Sequence, residues 1–348
     1  MRIFKLNLQM IIGLLCLVMH ANAAFANSDL ERCRTLISQQ SFDEAYAVCR
    51  TASEQGHAVA QINLGWMFSN GEGVTQDYVE AARWYRAAAE QGDSEAQFYL
   101  GAMYYIGNGV TQDYIEATIW LRAAAEQGYV DAQNNLGWIY SNGDGVTQDY
   151  AEAARWYRAA AELGDAEAQY NLGFMYSNGY GVIRDYSKAA RWYLAAAEQG
   201  DAEAQYNLGV MYSNGLGVQK DFMEALVWYK SAAEQGFLDA QVNLGFMYIN
   251  GDGVTQDKRQ AVRWFRTAAL QGHPLAQNSL GAMYFFGEGI SQDFIMAYKW
   301  LIIATANGAN MAAELRNRVV PFLSNDQIIH AQVLARQCVS SNYSNCGY

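Results

Sequence analysis

The sequence predicts an all-α protein built from repeated helix hairpins, and three periodic features predict it. The dipeptide Leu-Gly recurs every 36 residues from Leu64 to Leu280. A tryptophan follows the same period from Trp84 to Trp300, and a glycine closes each unit, as at Gly92. A period of about 20 to 50 residues is typical of solenoids, in which each repeat is one supersecondary unit.

The first half of each unit is a predicted helix that ends at glycine. In the segment 165–178, Ala168, Leu172 and Tyr176 occur at positions i, i+4 and i+8, which places them on one helix face. A Gly-x-Gly pair that starts at Gly179 then interrupts the pattern. The pair lacks the third glycine and the preceding strand of a phosphate-binding loop, so it indicates a turn.

The second half of each unit is predicted to form another helix. Asp149 followed by Glu152 is typical of an N-cap residue with a glutamate in the first turn. Alanines beside Trp156 and Tyr157 let this helix approach its neighbours closely while the rings fill the gaps. Because a lone hairpin has too little to bury, the hairpins must stack around a shared core.

The N-terminal residues have the pattern of a secretory signal. Arg2 and Lys5 precede an apolar run, and small residues end at Ala26, so the segment 1–26 is predicted to be cleaved. Its loss changes the formal net charge from −12 to −14, because it holds two basic residues and no acidic one. We expect an exported monomer, periplasmic or secreted, with no membrane span. The acidic charge excludes nucleic acids and anionic membrane surfaces as partners.

Both ends of the mature chain are predicted to be caps held by disulfides. Cys33 and Cys49 lie about equally far from the turn of a short hairpin, which would bring their thiols level. At the other end, Ser324 opens a last helix as a capping box would, and Cys338 lies in its last turn, within reach of Cys346. An even cysteine count behind an export signal favours disulfides, and without zinc-like spacing we expect no metal.

The repeats resemble the Sel-one-like repeat (SLR) family, a relative of tetratricopeptide repeats. The motifs are A-x-x-x-L-G-x-x-Y in the first helix, N-G-x-G-V in the loop and D-Y-x-x-A-x-x-W-Y in the second helix. The likeness covers 57–308, with a capping hairpin over 27–56 and capping helices and a tail over 309–348. It implies a right-handed superhelical solenoid whose first helices line a concave face, used in bacterial members as a scaffold for protein assembly.

The same resemblance offers a rival function. Some cysteine-rich bacterial members are associated with penicillin binding and hydrolysis, but they carry a cysteine pair in most repeats, which this chain lacks. His57 and His273 occupy a helix-capping position, and no S-x-x-K motif occurs. We therefore predict a protein that is not an enzyme and uses no cofactor. The alternatives are a cell-wall-associated hydrolase or binder of a β-lactam or muropeptide, and a secreted factor that acts on a host cell.

The first helices differ from one another at three positions, two before, two after and five after the leucine of Leu-Gly. A fixed core would vary less, and aromatic residues are typical anchors for a protein or peptide partner, although the same residues could instead pack the first helices together. The predicted partner-binding residues are Ile62, Trp66, Phe98, Tyr105, Asn134, Trp138, Tyr170, Phe174, Tyr206, Phe246 and Ile249.

Two polar columns have structural and functional interpretations. The asparagines from Asn70 to Asn250 either bond the extended backbone of a partner or cap their own helices. The arginines of the second helices, such as Arg83 and Arg86, are expected on a solvated outer face, where i, i+3 pairs with acidic residues are common.

Overall fold

A computed structural model describes residues 28–347, and within that range the chain is helical with no strand. The predicted signal segment 1–26 lies outside the described residues, as does Tyr348. None of the helices between residues 28 and 347 has both the length and the apolar character that a membrane span requires. The all-α class predicted from the repeats is confirmed.

The helices follow one another with the predicted period. The first helices of the seven repeats are α3 Ala58–Asn70, α5 Ser94–Ile106, α7 Val130–Asn142, α9 Ala166–Asn178, α11 Ala202–Asn214, α13 Leu238–Asn250 and α15 Pro274–Phe286. The second helices are α4 Tyr78–Ala89, α6 Tyr114–Glu126, α8 Tyr150–Glu162, α10 Tyr186–Glu198, α12 Phe222–Glu234, α14 Lys258–Ala269 and α16 Phe294–Ala306. The ends add α1 over 28–38, α2 Phe42–Glu54, α17 Ala312–Val319, a 3-10 turn Val320–Phe322 and α18 Asn325–Ser340.

The chain forms two compact units. The first runs to Asp165 and includes Tyr180–Val182, and the second comprises Ala166–Gly179 and the residues from Ile183 onward. Within each unit, a first helix packs on its own second helix, which packs in turn on the next first helix. Such consecutive packing is typical of a solenoid and buries the faces that a lone hairpin would expose.

An aspartate begins each second helix because its side chain satisfies the first free backbone N–H groups. The Asp77 carboxylate accepts hydrogen bonds from the backbone N–H of Val79 at 2.9 Å and of Glu80 at 3.1 Å. The same device occurs at Asp113, Asp149, Asp185, Asp221, Asp257 and Asp293. The predicted N-cap is confirmed, and a cap of this kind contributes about 1 kcal/mol.

The Gly-x-Gly loop requires both of its glycines. The first ends the first helix in the left-handed conformation, as Gly71 does with φ 75°. The second lies against the previous hairpin: a Cβ on Gly109, whose φ is 68°, would be 2.0 Å from the carbonyl oxygen of Tyr78. Only glycine combines that conformation with so close an approach. The loop is the turn that the sequence predicts.

The glycine of Leu-Gly has another role, since it makes room for a side chain of the facing second helix. A Cβ on Gly137 would lie 2.5 Å from the ring of Tyr157, and one on Gly101 would lie 2.7 Å from Cγ of Leu121. The leucine beside it, such as Leu136, is fully buried. The two helices of a hairpin therefore approach each other closely at Leu-Gly.

Buried glutamines of the first helices bond to the preceding hairpin of the same unit and to the end of their own second helix. Gln97 Nε2 donates to the carbonyl oxygen of Ala89 in α4 at 3.2 Å, and Gln97 Oε1 accepts from Nε2 of Gln127 at 2.8 Å. The second contact recurs in the pairs Gln61–Gln91, Gln169–Gln199, Gln205–Gln235, Gln241–Gln271 and Gln277–Asn307. This ladder was not predicted, although a glutamine that repeats on an apolar helix face was a visible sign of it in the sequence.

The N-terminal cap is a hairpin of α1 and α2. The predicted disulfide joins Cys33 to Cys49, whose Cα atoms are 4.9 Å apart. Both cysteines are fully buried and share a hydrophobic cluster with Leu64 and Met67 of the first repeat. The disulfide therefore lies inside the contact between the cap and the repeats.

The C-terminal cap also has the predicted form. Ser324 and Gln327 make a capping box at the start of α18, and Cys338 in its last turn is bonded to Cys346. The Cα atoms of the two cysteines are 4.2 Å apart. Each end of the described chain thus carries one disulfide.

A buried lysine, which sequence analysis did not single out, holds the C-terminal tail. Lys299 in α16 is fully buried, and its Nζ donates to the backbone carbonyl oxygens of Cys346 and Gly347. Burial, followed by the positive charge of Arg266, lowers the pKa of Lys299 to about 8. The tail carbonyls thus compensate part of the desolvation of this ammonium group.

Candidate partner-binding face

The exposed side of the first helices carries one column of large apolar residues, two positions after the leucine of Leu-Gly. Trp138 is 53% exposed, Phe174 is 42% exposed and Phe246 is 36% exposed. Trp66 is half-buried, because its ring lies 5.5 Å from the ring of Phe42 in the N-terminal cap. Of the three predicted columns, this one offers a partner the largest apolar side chains.

The column two positions before the leucine turns inward. Ile62 and Asn134 are only 7% and 8% exposed, so they offer a partner almost no surface. Ile62 shares a hydrophobic cluster with Ala81 and Tyr85 of α4. The physical reason is that this position leans toward the second helix of its own hairpin.

The aromatic members of the same column are half-buried and pack on neighbouring rings. Phe98 stacks on Tyr129, which precedes the next first helix, with ring centroids 5.0 Å apart. Tyr206 lies 4.9 Å from the equivalent Phe237, and Tyr170 is also half-buried. These rings pack successive first helices together, which is the structural interpretation left open by the sequence.

In the third column, five positions after the leucine of Leu-Gly, the contacts of each side chain depend on the residue that faces it from the second helix. Ser177 and Ser213 lie within hydrogen-bond distance of the phenols of Tyr193 and Tyr229 on the second helices, at 3.4 Å and 3.3 Å. Ile249 belongs to a repeat whose second helix has a phenylalanine in place of tyrosine, and it packs against the core cluster that holds that ring. Ile249 is therefore half-buried against that cluster.

Tyr105 is the exception in this column, because its second helix carries Leu121 and offers no phenol. Its hydroxyl donates to Oδ2 of Asp144 at 2.7 Å and accepts from Nε1 of Trp138 at 3.3 Å, and its ring lies 5.1 Å from that of Tyr114. Burial, followed by the hydrogen bond to Asp144, raises the pKa of Tyr105. These bonds fix the indole of Trp138 while about half of it stays exposed.

Acidic residues gather at the start of α5 and α7. Burial raises the pKa of Tyr129 to about 12, and the neighbouring Tyr99 and the negative charges of Glu95, Asp131 and Asp93 act in the same direction. Burial, followed by the charge of Asp93, likewise raises the pKa of the Glu95 carboxyl. This end of the face is therefore negative and partly desolvated.

The second unit has a similar combination. Burial, followed by a hydrogen bond to Glu203, raises the pKa of Tyr170, and Asp201 adds to the effect. Phe174 lies four residues after Tyr170 on α9, which places the exposed ring on the same side of the helix. Aromatic rings and carboxylates thus occur together in each unit.

Three members of the asparagine column cap their own helices, whereas the Asn250 amide donates to Oδ2 of Asp252 at 3.1 Å. The Asn70 amide donates to the carbonyl oxygen of Trp66, four residues earlier, at 2.9 Å. Asn178 and Asn214 make the same contact at 2.8 Å. These contacts correspond to the capping interpretation.

The two arginine columns of the second helices differ. Arg83 pairs with Glu80 at 3.1 Å on an exposed face, as predicted. Arg86, by contrast, donates to the phenol of Tyr104 on the next first helix. The equivalent Arg266 reaches the phenol of Tyr284 at 3.2 Å. The second column therefore also joins neighbouring hairpins, while Arg86 itself is exposed, as predicted.

The histidines lie at helix starts. The backbone N–H of Ala276 donates to Nδ1 of His273 at 3.3 Å, so His273 caps α15. The other ring nitrogen of His273, Nε2, lies 3.0 Å from Oδ1 of Asp239. His57 begins α3 without a side-chain cap, and its Nε2 is buried without a partner. Between residues 28 and 347, no group of His, Cys, Asp and Glu is arranged to hold a metal ion.

The hairpin repeats with an open aromatic face define the chain as a helical repeat protein of the scaffold type. Comparison with protein families agrees, because the Sel1 repeat matches 58–93, 94–129, 130–165, 166–201, 202–237, 238–273 and 274–308. The chain belongs to the Sel1 repeat family, as the sequence motifs predicted.

Two solved structures illustrate the likeness. A Sel1 repeat protein from Oxalobacter formigenes is 34% identical, with 70% of this chain and 96% of that one covered and a TM-score of 0.59. A protective antigen of uropathogenic Escherichia coli, which displays an SLR fold, is 31% identical, with 93% of this chain and 87% of that one covered and a TM-score of 0.50. A search of curated proteins found no match.

Proposed function

We propose that this chain is an exported scaffold that holds a protein or peptide partner on the exposed side of its first helices and catalyses no reaction. Trp138 carries the proposal: its ring is 53% exposed, yet it is held in place through Tyr105 and Asp144. A large ring with a fixed position loses little conformational entropy when it is covered, which is why tryptophan is enriched at interface hot spots.

The second unit supplies its own candidate contacts. Phe174 and Phe246 occupy the same column and are 42% and 36% exposed. Each would bury apolar area on binding at roughly 25 cal/mol per Å². We include these two residues in the proposal as contacts of the second unit, separate from the Trp138 cluster.

Three observations support export. Residues 1–26 have the charged, apolar and small-residue pattern of a secretory signal. Both cysteine pairs form disulfides, which persist in oxidising compartments. The similar Escherichia coli protein is described as a protective antigen. We therefore place the protein in the periplasm or outside the cell.

The test is affinity capture from periplasm and culture medium, with the bound proteins identified by mass spectrometry. Four baits are compared: the unaltered chain, Trp138→Ala, Phe174→Ala and Ile119→Ala. Ile119 is a matched control, because it is 54% exposed on a second helix, α6. We expect a partner on the unaltered and Ile119→Ala baits that is lost from one of the other two.

Equal capture by all four baits would show that the face is not used. The rival function has its own readout, since a cell-wall hydrolase or binder would turn over or retain a β-lactam or a muropeptide. We expect the purified protein to do neither.

A further inference from the structure

Charge is divided unevenly between the two helices of each repeat. The first helices contain no lysine or arginine, and their charged residues are Glu95, Asp131, Glu167, Glu203 and Asp239. The lysines and arginines of the repeats lie on the second helices or in the loops that precede them. A surface with carboxylates and aromatic rings but no cation complements a partner that carries cations.

In the first unit this division produces one strip across α5 and α7, which we call the acidic strip. Asp131 precedes Trp138 by seven residues, so the two lie on the same side of α7, about 10 Å apart along the axis. Glu95 occupies the equivalent position on α5. Asp144 lies at the other end, bonded to Tyr105 beside Trp138. Carboxylates therefore flank the exposed ring on both sides.

A polar group with unused hydrogen-bonding capacity lies in the middle of the strip. Asn135 is four residues after Asp131 and three before Trp138, which places all three on one helix face. Its side chain is half-buried, and between residues 28 and 347 it makes no side-chain hydrogen bond. An amide offers one acceptor and two donors, which suits the backbone of an extended chain.

We propose that the acidic strip binds an extended, basic polypeptide segment, with Lys or Arg side chains at Glu95, Asp131 and Asp144 and an apolar side chain against Trp138. This inference rests on the proposed function and adds the chemistry of the partner. An extended chain advances about 3.3 Å per residue, so a few residues span the distance from Asp131 to Trp138. Nucleic acids and anionic lipids are repelled by the same carboxylates.

The test is a selection of random peptides of about a dozen residues displayed against the immobilised full chain at low ionic strength. We expect the selected peptides to be enriched in Lys and Arg together with one apolar residue. Their binding, measured by fluorescence anisotropy with labelled synthetic copies, should weaken as salt is added.

Variants separate the strip from the overall acidity of the protein. The triple variant Glu95→Gln, Asp131→Asn, Asp144→Asn removes three charges from the strip, and we expect it to weaken binding about tenfold. The control variant changes three exposed glutamates at the ends of second helices in the same unit and should leave binding unchanged. These control substitutions are Glu90→Gln, Glu126→Gln and Glu162→Gln.

Each remaining outcome has a distinct meaning. Peptides that depend on Trp138 but are not enriched in Lys and Arg would overturn the basic partner and leave the proposed function standing. Equal weakening by both triple variants would overturn the placement of the basic residues on the strip. If Trp138→Ala abolishes the binding of none of the selected peptides, that result would count against both the strip and the proposed use of this face.

Discussion

The side-chain oxygen of Gln133 is buried without a hydrogen-bond partner because Leu163 occupies the position from which the other repeats supply one. Its Nε2 still donates to the carbonyl oxygen of Ala125 at 3.1 Å, so only the acceptor is left unsatisfied. In the other repeats, a glutamine or Asn307 donates to this oxygen from 30 residues further along the chain. Leu163 itself is 60% exposed, so its side chain gains little from burial.

Leu163→Gln should therefore stabilise the first unit. The new amide can donate to Gln133 Oε1, and satisfying a buried acceptor contributes about 1 kcal/mol. Chemical denaturation followed by circular dichroism measures the change in the free energy of unfolding. Leu163→Glu is the control, because a carboxylate of similar size cannot donate this bond; an equal gain in both variants would point to the removal of an exposed leucine instead.

Two glycine substitutions should differ in their effects. Gly109→Ala places a Cβ 2.0 Å from the carbonyl oxygen of Tyr78, whereas a Cβ on Gly128 meets nothing within 4 Å. Both residues have positive φ, so both substitutions carry a conformational penalty of roughly 1 to 2 kcal/mol. We expect Gly109→Ala to lose about 2 kcal/mol more than Gly128→Ala in thermal denaturation. Equal losses would mean that the loop does not press on α4.

Lys299 should make the stability of the second unit depend on pH. Its pKa of about 8 in the folded protein lies below the value of about 10.4 for an exposed lysine. Between these values the unfolded chain binds more protons, so stability rises with pH. From about pH 7 to pH 9.5, the unaltered chain should gain about 2 kcal/mol relative to Lys299→Met.

The measurement is urea denaturation of both chains across that pH range. The range stops short of pH 10 because tyrosines with raised pKa, such as Tyr193, make the stability fall as the pH rises further. Parallel stability curves for the two chains would show that Lys299 does not titrate in this range.

The N-terminal disulfide should stabilise the first unit. Cys33 and Cys49 enclose a loop with a sequence separation of 16, for which the chain-entropy model gives about 3 kcal/mol. We expect Cys33→Ser, Cys49→Ser to lower the denaturation midpoint, and a reducing agent to lower it more in the unaltered chain than in the variant, which keeps only the Cys338–Cys346 disulfide. A midpoint that does not change in either case would contradict the stabilising role.

The sequence was most informative about local structure. The Asp77 cap, the helix end at Gly107 and the hairpin period follow from interactions within one repeat, and each is repeated often enough to be read from the chain. The candidate face was predicted less well. Trp138 and Tyr105 come together across two repeats, and their contact depends on Leu121 in place of a tyrosine.

One missed signal was present in the sequence as a correlation between helices. A serine occurs on the first helix wherever the second helix carries tyrosine 16 residues later, as in Ser213 and Tyr229. Where the second helix has Leu121, the first helix has Tyr105, and where it has Phe265, the first helix has Ile249. This pairing marks contacts inside a hairpin, and it would have indicated that Ile249 is partly buried.

The repeat, the two helices of each unit, their caps and the cysteines at the ends could be predicted from the sequence alone, because those features depend on neighbours in the chain. Which members of a variable column are accessible became clear only from the packed helices. Ile62 and Trp66 are one helical turn apart on α3. Only the structure shows that Ile62 faces the second helix of its hairpin, whereas Trp138, which occupies on α7 the position of Trp66, remains half exposed. Burial depends on the residues that meet a side chain across helices, and those contacts exist only once the hairpins pack.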